Sequence, residues 1–339
     1  MKLSVADLDL SLRHTFRISR GATDVARNLL VRLEHEGLTG LGEAHPPGFF
    51  GENRERVKAT LATLGGDLAG SPTDIDAALD GLPPEIAASH GPRAALDIAL
   101  HDLWGQLHGE PLWRLWGLDP AATPVTSFTI GIASVEEMQA RVREAERYPL
   151  LKIKLGTDRD LEILEGIRAV TDKPLRVDAN AAWTVEEAIE KIHAIEPYGI
   201  ELVEQPIPPG DVEGLRRIRE AIAVPLLVDE SVSDAASIRP LAGAVDGINI
   251  KLMKCGGLRE ARRMIELARS LGMQVMLGCH IESSVSITAA AHLSPLADYA
   301  DLDGCLLIAN DPFEGMALDA GGRMVLPDRP GLGVRARDA

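Results

Sequence analysis

The sequence predicts a closed parallel (β/α) barrel preceded by a smaller α+β domain. Three observations carry this expectation. Eight short apolar runs follow one another from residue 126 to residue 304, separated by stretches with helical apolar spacing. Ionisable residues recur at the ends of these runs, about one βα unit apart. The first 120 or so residues have a different order, strands first and helices after.

In the first segment, residues 2–10 and 27–43 alternate like strands and predict a small antiparallel meander. Residues 53–68 and 92–107 have helical spacing; in the second, Ala95, Leu96, Ile98, Ala99, Leu103 and Trp104 make the apolar face. Gly117, Pro120 and Pro124 mark a linker. The eight runs then span 126–132, 150–155, 175–180, 201–206, 226–230, 247–253, 274–279 and 299–304, with helical segments at 135–147, 160–170, 185–195, 215–221 and 258–271. Continuous apolar strands joined by helices mean a parallel sheet covered on both faces. Closure into a barrel removes the two edges an open sheet would have to hide. The expected division is an α+β domain over 1–120, a barrel over 125–309, and a Gly- and Pro-rich tail over about 310–339 that packs back on the first domain.

The chain has 339 residues, 45% of them apolar and 25% charged, so it holds enough apolar material for a large core. With 35 Lys and Arg against 51 Asp and Glu, its formal charge is −16. That balance argues against binding nucleic acid, which needs clustered cations, and against an anionic membrane surface. Asp7, Asp9 and Arg13 interrupt any leader-like apolar stretch, and no run approaches the roughly 20 residues of a membrane helix. Cys255, Cys279 and Cys305 are too few and too scattered for a disulfide framework. A soluble cytoplasmic protein is expected.

Barrels of this kind keep their chemistry at the carboxyl ends of the strands. Lys154, Asp178, Glu204, Asp229 and Lys251 stand there, separated by 24, 26, 25 and 22 residues. Three consecutive strands thus present Asp178, Glu204 and Asp229 to one point. Three facing carboxylates repel each other and are costly to desolvate, a conflict a hard divalent cation removes. Oxygen-only ligands select Mg²⁺, with Mn²⁺ an alternative, over zinc. Lys152 and Lys154, two apart, face the same side of their strand, and Lys251 arrives from across the acids. Ammonium groups near a cation and near each other are expected to have lowered pKa values. Two such amines flanking one carbon suit proton abstraction on one face and delivery on the other. The alternative is that the lysines only balance the acids' charge.

These residues carry a family resemblance. From residue 1 to about 330 the chain resembles the enolase superfamily, muconate-lactonising subgroup, and within it the dipeptide epimerases of the L-Ala-D/L-Glu type. The matching motifs are Leu151-Lys152-Ile153-Lys154, Val177-Asp178-Ala179-Asn180 with Trp183, Glu204-Gln205-Pro206, Val228-Asp229-Glu230-Ser231, the stretch from Asn249 through Lys251 and Lys254 to Gly257, and Asp301-Leu302-Asp303. The resemblance implies a modified TIM barrel capped by the first domain. It implies one Mg²⁺ on Asp178, Glu204 and Asp229, acid/base lysines at Lys154 and Lys251, and Lys152 beside the substrate carboxylate. It implies two specificity loops, around Arg17–Val25 and Pro46–Glu52. The reaction expected is epimerisation of the C-terminal residue of an L-Xaa-L-Xaa dipeptide, through an ene-diolate. Symmetric homo-oligomers are common in the family.

Asp301 and Asp303 favour this reading over an N-succinylamino-acid racemase, an o-succinylbenzoate synthase or another lyase. In the similar epimerases the paired acids hold the substrate's α-amino group, whereas succinylated substrates present no cation there. Thr129, Cys279, His280 and Ile281 match substrate-contacting positions. His280 is expected to line the pocket, because the sixth strand offers Lys251 where a histidine base would need an acid. The first capping loop has Thr23 where an Ala-Glu epimerase would have an arginine; Arg17 and Arg20 are the remaining cations, and Phe49 and Phe50 suit an apolar side chain. A dehydratase on the same scaffold and a non-catalytic metal-binding barrel complete the alternatives.

Overall fold

A computed structural model describes residues 1–46, 48 and 51–337. Three antiparallel strands open the chain: β1 (Lys2–Ile18), β2 (Gly21–His35) and β3 (Leu38–Ala44), in the order β1-β2-β3. β1 runs past Asp7 and Asp9 because both acids face outward, toward Lys58 and Arg54, while Leu8 and Leu10, alternating with them, are buried. The two faces of β2 serve two cores. Leu29, Val31 and Leu33 pack with the helices of the first segment, and Ala26 and Leu30 join the core shared with the barrel.

The helix expected over 53–68 stops at Ala62, and turns through Gly65 and Gly66 follow. The next long helix, His90–His108, begins before its expected start at Pro92, whose missing N–H costs nothing in a first turn. It ends on Gly109 in the left-handed conformation (φ 68°). It lies directly on β3, where Gly40 and Gly42 face its backbone. A methyl on Gly42 would meet the carbonyl of Ala95, and one on Gly40 that of Ala99.

Eight parallel strands follow in sequential order: β4 (Phe128–Ile130), β5 (Leu151–Lys154), β6 (Leu175–Asp178), β7 (Ile200–Glu204), β8 (Leu226–Val228), β9 (Gly247–Lys251), β10 (Gln274–Gly278) and β11 (Tyr299–Asp301). A bridge between Thr126 and Ala300 brings the last strand to the first, with Ser127 N donating to Ala300 O at 3.1 Å. The result is a near-closed barrel. Its lower interior holds Leu202, Leu227 and Met276 against Tyr299. The Arg176 guanidinium lies over the Tyr299 ring and donates to Glu201 and to Ala300 O, both at 2.6 Å.

The outer helices are amphipathic: Leu258–Ser270 buries Leu258, Ala261, Met264, Ile265 and Ala268. Capping boxes at Ser134 with Glu137 and Thr184 with Glu187 fix two helix starts after strand ends. The βα repeat is less regular than its spacing implies. Between β8 and β9 there are only two 3-10 turns, the second containing Pro240, and after β11 only Gly304–Leu307 is helical among the described residues. The C-terminal tail returns to the long helix and the turn that follows it: Leu332 N donates to Asp102 Oδ1 at 2.8 Å, and Leu112 N to Gly331 O at 3.1 Å. No helix among the described residues is long and apolar enough to cross a membrane.

Candidate active site

Strand register assembles the ring. Lys154 pairs with Asp178 and Asp178 with Glu204 across β5, β6 and β7, so the three stand at one level. Asp229 follows β8, and Lys251 ends β9. In a ring of eight, β5 and β9 are diametrically opposite, so Lys154 and Lys251 reach the mouth from opposite sides with the three acids on the strands between. A cavity of about 230 Å³ lies above them. Lys152, Lys154, Asp229, Lys251, Asp301 and Asp303 line it, as do Thr129, Cys279, His280 and Ile281; Asp178 and Glu204 lie beneath, fully buried.

The buried charges are interlocked. Lys152 Nζ lies 2.6 Å from Glu204 Oε2, 2.6 Å from Asp301 Oδ2 and 3.1 Å from Asp178 Oδ2. Lys154 Nζ donates to Asp178 Oδ2 at 2.6 Å, and Lys251 Nζ to Asp229 Oδ2 at 2.8 Å. Burial raises Glu204 to a pKa of about 7, with Asp178 adding repulsion. Burial opposes ionisation of Asp178 and Asp229 too, but the lysines outweigh it and hold both below the usual carboxylate range. The lowering expected of the lysines belongs to amines beside a divalent cation; among the side chains alone, Lys152 and Lys251 move the other way. Burial disfavours the ammonium forms of Lys152 and Lys251, yet Asp301 and Asp229 respectively overcome it and raise both.

Asp301 and Asp303 reach the same wall on unequal terms. Asp301 is paired with Lys152 and accepts from Ser127 Oγ at 2.6 Å, which keeps its carboxyl acidic against burial. Asp303 lies past the end of β11, not on the strand as expected, because the chain turns into Gly304–Leu307 there. It accepts from Thr129 N at 2.6 Å, and burial with repulsion from Asp301 raises its pKa to about 7. His280 stacks on His45 from β3's end, ring centroids 4.8 Å apart. Burial and then the Lys251 ammonium keep the His280 ring neutral. In the first capping loop Phe16, Ile18, Arg20 and Thr23 line the cavity, while Arg17 is exposed and lies in the field of Glu137. In the second, Phe49 and Phe50 lie outside the described residues; Glu52 anchors its end by accepting from His90 N and Gly91 N.

Three residues that the sequence places in the matching motifs without a role support the site. Lys254, 5% exposed, donates to Asp229, to Val232 O at 3.0 Å and to Asn249 O at 3.2 Å. Gln205, at φ +35°, accepts from Asp229 N and Ser231 N, and Asn249 donates to Glu204 Oε1 at 2.7 Å. The one signal for Lys254 was its apolar company, Leu252, Met253 and Cys255.

The donor set fits a hard divalent cation. Its ligating atoms are all carboxylate oxygens, and Glu204 Oε2 and Asp178 Oδ2 already converge on one cation, the Lys152 ammonium, at 2.6 and 3.1 Å. As they stand, no three His, Cys, Asp or Glu side chains among the described residues are close enough to hold a metal, because lysines separate the acids.

The profile described as "Mandelate racemase / muconate lactonizing enzyme, N-terminal domain" matches residues 2–117, and "Enolase C-terminal domain-like" matches residues 134–339. The chain belongs to the enolase superfamily. An L-Ala-D/L-Glu epimerase of Bacteroides thetaiotaomicron is 42% identical over 98% of this chain and 88% of its own. The dipeptide epimerase of Enterococcus faecalis, solved with Mg and L-Leu-L-Tyr, superposes with a TM-score of 0.91 at 34% identity over 98% of each chain. That of Cytophaga hutchinsonii, solved with Mg and D-Ala-L-Val, gives 0.93 at 31% identity over 99% of this chain and 96% of its own. Within the enolase superfamily, the mandelate racemase/muconate-lactonizing frame accounts for both parts of the molecule: the three-stranded sheet with its helices, and the eight-stranded barrel.

Proposed function

We propose that this enolase-superfamily isomerase is a Mg²⁺-dependent dipeptide epimerase, inverting the α-carbon of the C-terminal residue of an L-Xaa-L-Xaa dipeptide with an Ala-Glu-like or apolar side chain. The observation that carries the reading is the opposition of Lys154 and Lys251 across the barrel mouth, each tied to a different carboxylate. One lysine takes the α-proton from one face; the other gives a proton to the opposite face. Lys152, beneath the reacting carbon, offers its charge to the substrate carboxylate, and Asp301 and Asp303 receive the α-ammonium group. Thr129, Cys279, His280 and Ile281 shape the wall. Asp178, Glu204 and Asp229 would hold one Mg²⁺ per chain (or Mn²⁺). When bound, such an ion supplies positive charge that steadies the carboxylate and offsets the pull of the acids on the lysines. Residues 1–120 with the 310–339 tail act as the cap over the 125–309 barrel, and the three unpaired cysteines suit a cytoplasmic location.

A panel of L-Xaa-L-Xaa dipeptides incubated with Mg²⁺ in D₂O tests this. The expected result is a one-dalton gain with deuterium at the C-terminal α-carbon and appearance of the L,D product. Loss of water from substrate, or no exchange across the panel, would overturn it.

A further inference from the structure

Arg20 is the cation of the first capping loop that lines the cavity, but its charge is already matched. Its Nη2 lies 2.6 Å from Glu230 Oε1, and its Nη1 donates to Asn180 O at 2.6 Å. Ser19 Oγ donates to the same carbonyl at 3.3 Å. The loop is thereby seated on the ends of β6 and β8, across the ring from Asp301 and Asp303. The Glu230 side chain is only 6% exposed. Its second oxygen, Oε2, is buried with no hydrogen-bond partner, and Glu230 lines the cavity beside Asn180, Thr23 and Ile18. A buried carboxylate oxygen without a donor is costly and calls for one from whatever fills the cavity.

We infer that this end of the cavity selects against a carboxylate side chain on the C-terminal residue and takes an uncharged one, best a side chain ending in a hydrogen-bond donor such as a primary amide or hydroxyl. The inference rests on the dipeptide reading and narrows it. A glutamate side chain would bring a third negative oxygen up to Glu230 with the Arg20 charge already matched. A glutamine side chain has the same shape, and its amide can donate to Glu230 Oε2. Thr23, whose hydroxyl donates to Val25 O at 3.0 Å, adds no charge.

The test is a pair of isosteric substrates. Exchange in D₂O and L,D-product formation are followed for L-Ala-L-Gln and L-Ala-L-Glu with the Mg²⁺-loaded enzyme. The expected kcat/KM ratio is about tenfold or more in favour of glutamine; a smaller ratio, or a preference for glutamate, overturns the inference. Glu230→Gln should move the ratio at least tenfold toward glutamate by releasing the Arg20 charge. An unchanged ratio overturns it, as does a ratio change that vanishes when Mg²⁺ occupancy, measured by elemental analysis, is restored, since Glu230 would then be serving the metal. Thr23→Arg, which adds a loop cation without touching Glu230, should shift the ratio the same way; no shift in a folded variant counts against the inference. If neither dipeptide, nor any other in the panel, exchanges, the dipeptide reading itself fails.

Discussion

Replacement of Lys254 by Met removes a buried ammonium while keeping its aliphatic volume. In the native protein this group meets Asp229 Oδ1, Asp229 O, Val232 O and Asn249 O. Removing one partner of a buried ion pair costs roughly 3–5 kcal/mol. Asp229 keeps Lys251 at 2.8 Å through its other oxygen, which lowers the cost, whereas the carbonyls of Val232 and Asn249 lose a donor, which raises it. The two corrections oppose each other, so a destabilisation of about 4 kcal/mol is expected. At roughly 2 °C per kcal/mol for a chain of this size, Tm should fall by about 8 °C. Scanning calorimetry and urea unfolding of Lys254→Met measure it, and a cycle with Asp229→Asn should show non-additivity of about 1.5 kcal/mol or more. A fall in Tm below about 2 °C, or additive effects, would refute the claim that Lys254 holds Asp229 in place.

Three other outcomes are expected. Lys154→Ala and Lys251→Ala should each lower epimerisation by a factor of about 10²–10⁴; in D₂O each single variant should exchange the α-proton of only one diastereomer, and two-way activity in either would refute the two-base arrangement. Asp102 is raised by burial from 3.8 to about 6, against hydrogen bonds from Leu332 N and Leu41 N. The native state therefore holds a proton that the unfolded chain has lost, and this stability is complete below about 3.8 and disappears as pH rises through about 6. Unfolding free energies of the parent minus those of Asp102→Asn should fall by about 2.4 kcal/mol between pH 4 and 7; a flat difference would refute it. Gly42→Ala drives a methyl into the Ala95 carbonyl and should cost about 3 kcal/mol, read from urea midpoints; a neutral effect would show that β3 and the helix can part.

The barrel was legible because its signals repeat. Each strand end carries its functional residue inside a short apolar run, and spacing near 25 residues fixes which residues share a level. Where the regularity lapsed the pattern lapsed too: no helical segment is read between 230 and 247, and the connection from β8 to β9 holds only two 3-10 turns, one containing Pro240. Partnerships between distant residues were not legible. Arg20 and Glu230 are 210 positions apart, and only the folded loop places one on the other. That lysines and acids share the barrel mouth was visible in the spacing, but which carboxylate each ammonium meets, Asp301 for Lys152 and Asp229 for Lys251, was not. Lys254 stood in a matching motif without a role, because three of its four acceptors are main-chain carbonyls, which no side-chain pattern reports.

Asp102 grips two segments that lie far apart in the chain. One oxygen receives the amide of Leu41 in the meander, and the other that of Leu332, seven residues from the last. Grafting the first domain onto another barrel would therefore transplant a discontinuous module. A chimera that carried the first 120 residues and left the terminal segment behind would leave a buried acid facing a foreign sequence, with one of its two main-chain donors missing.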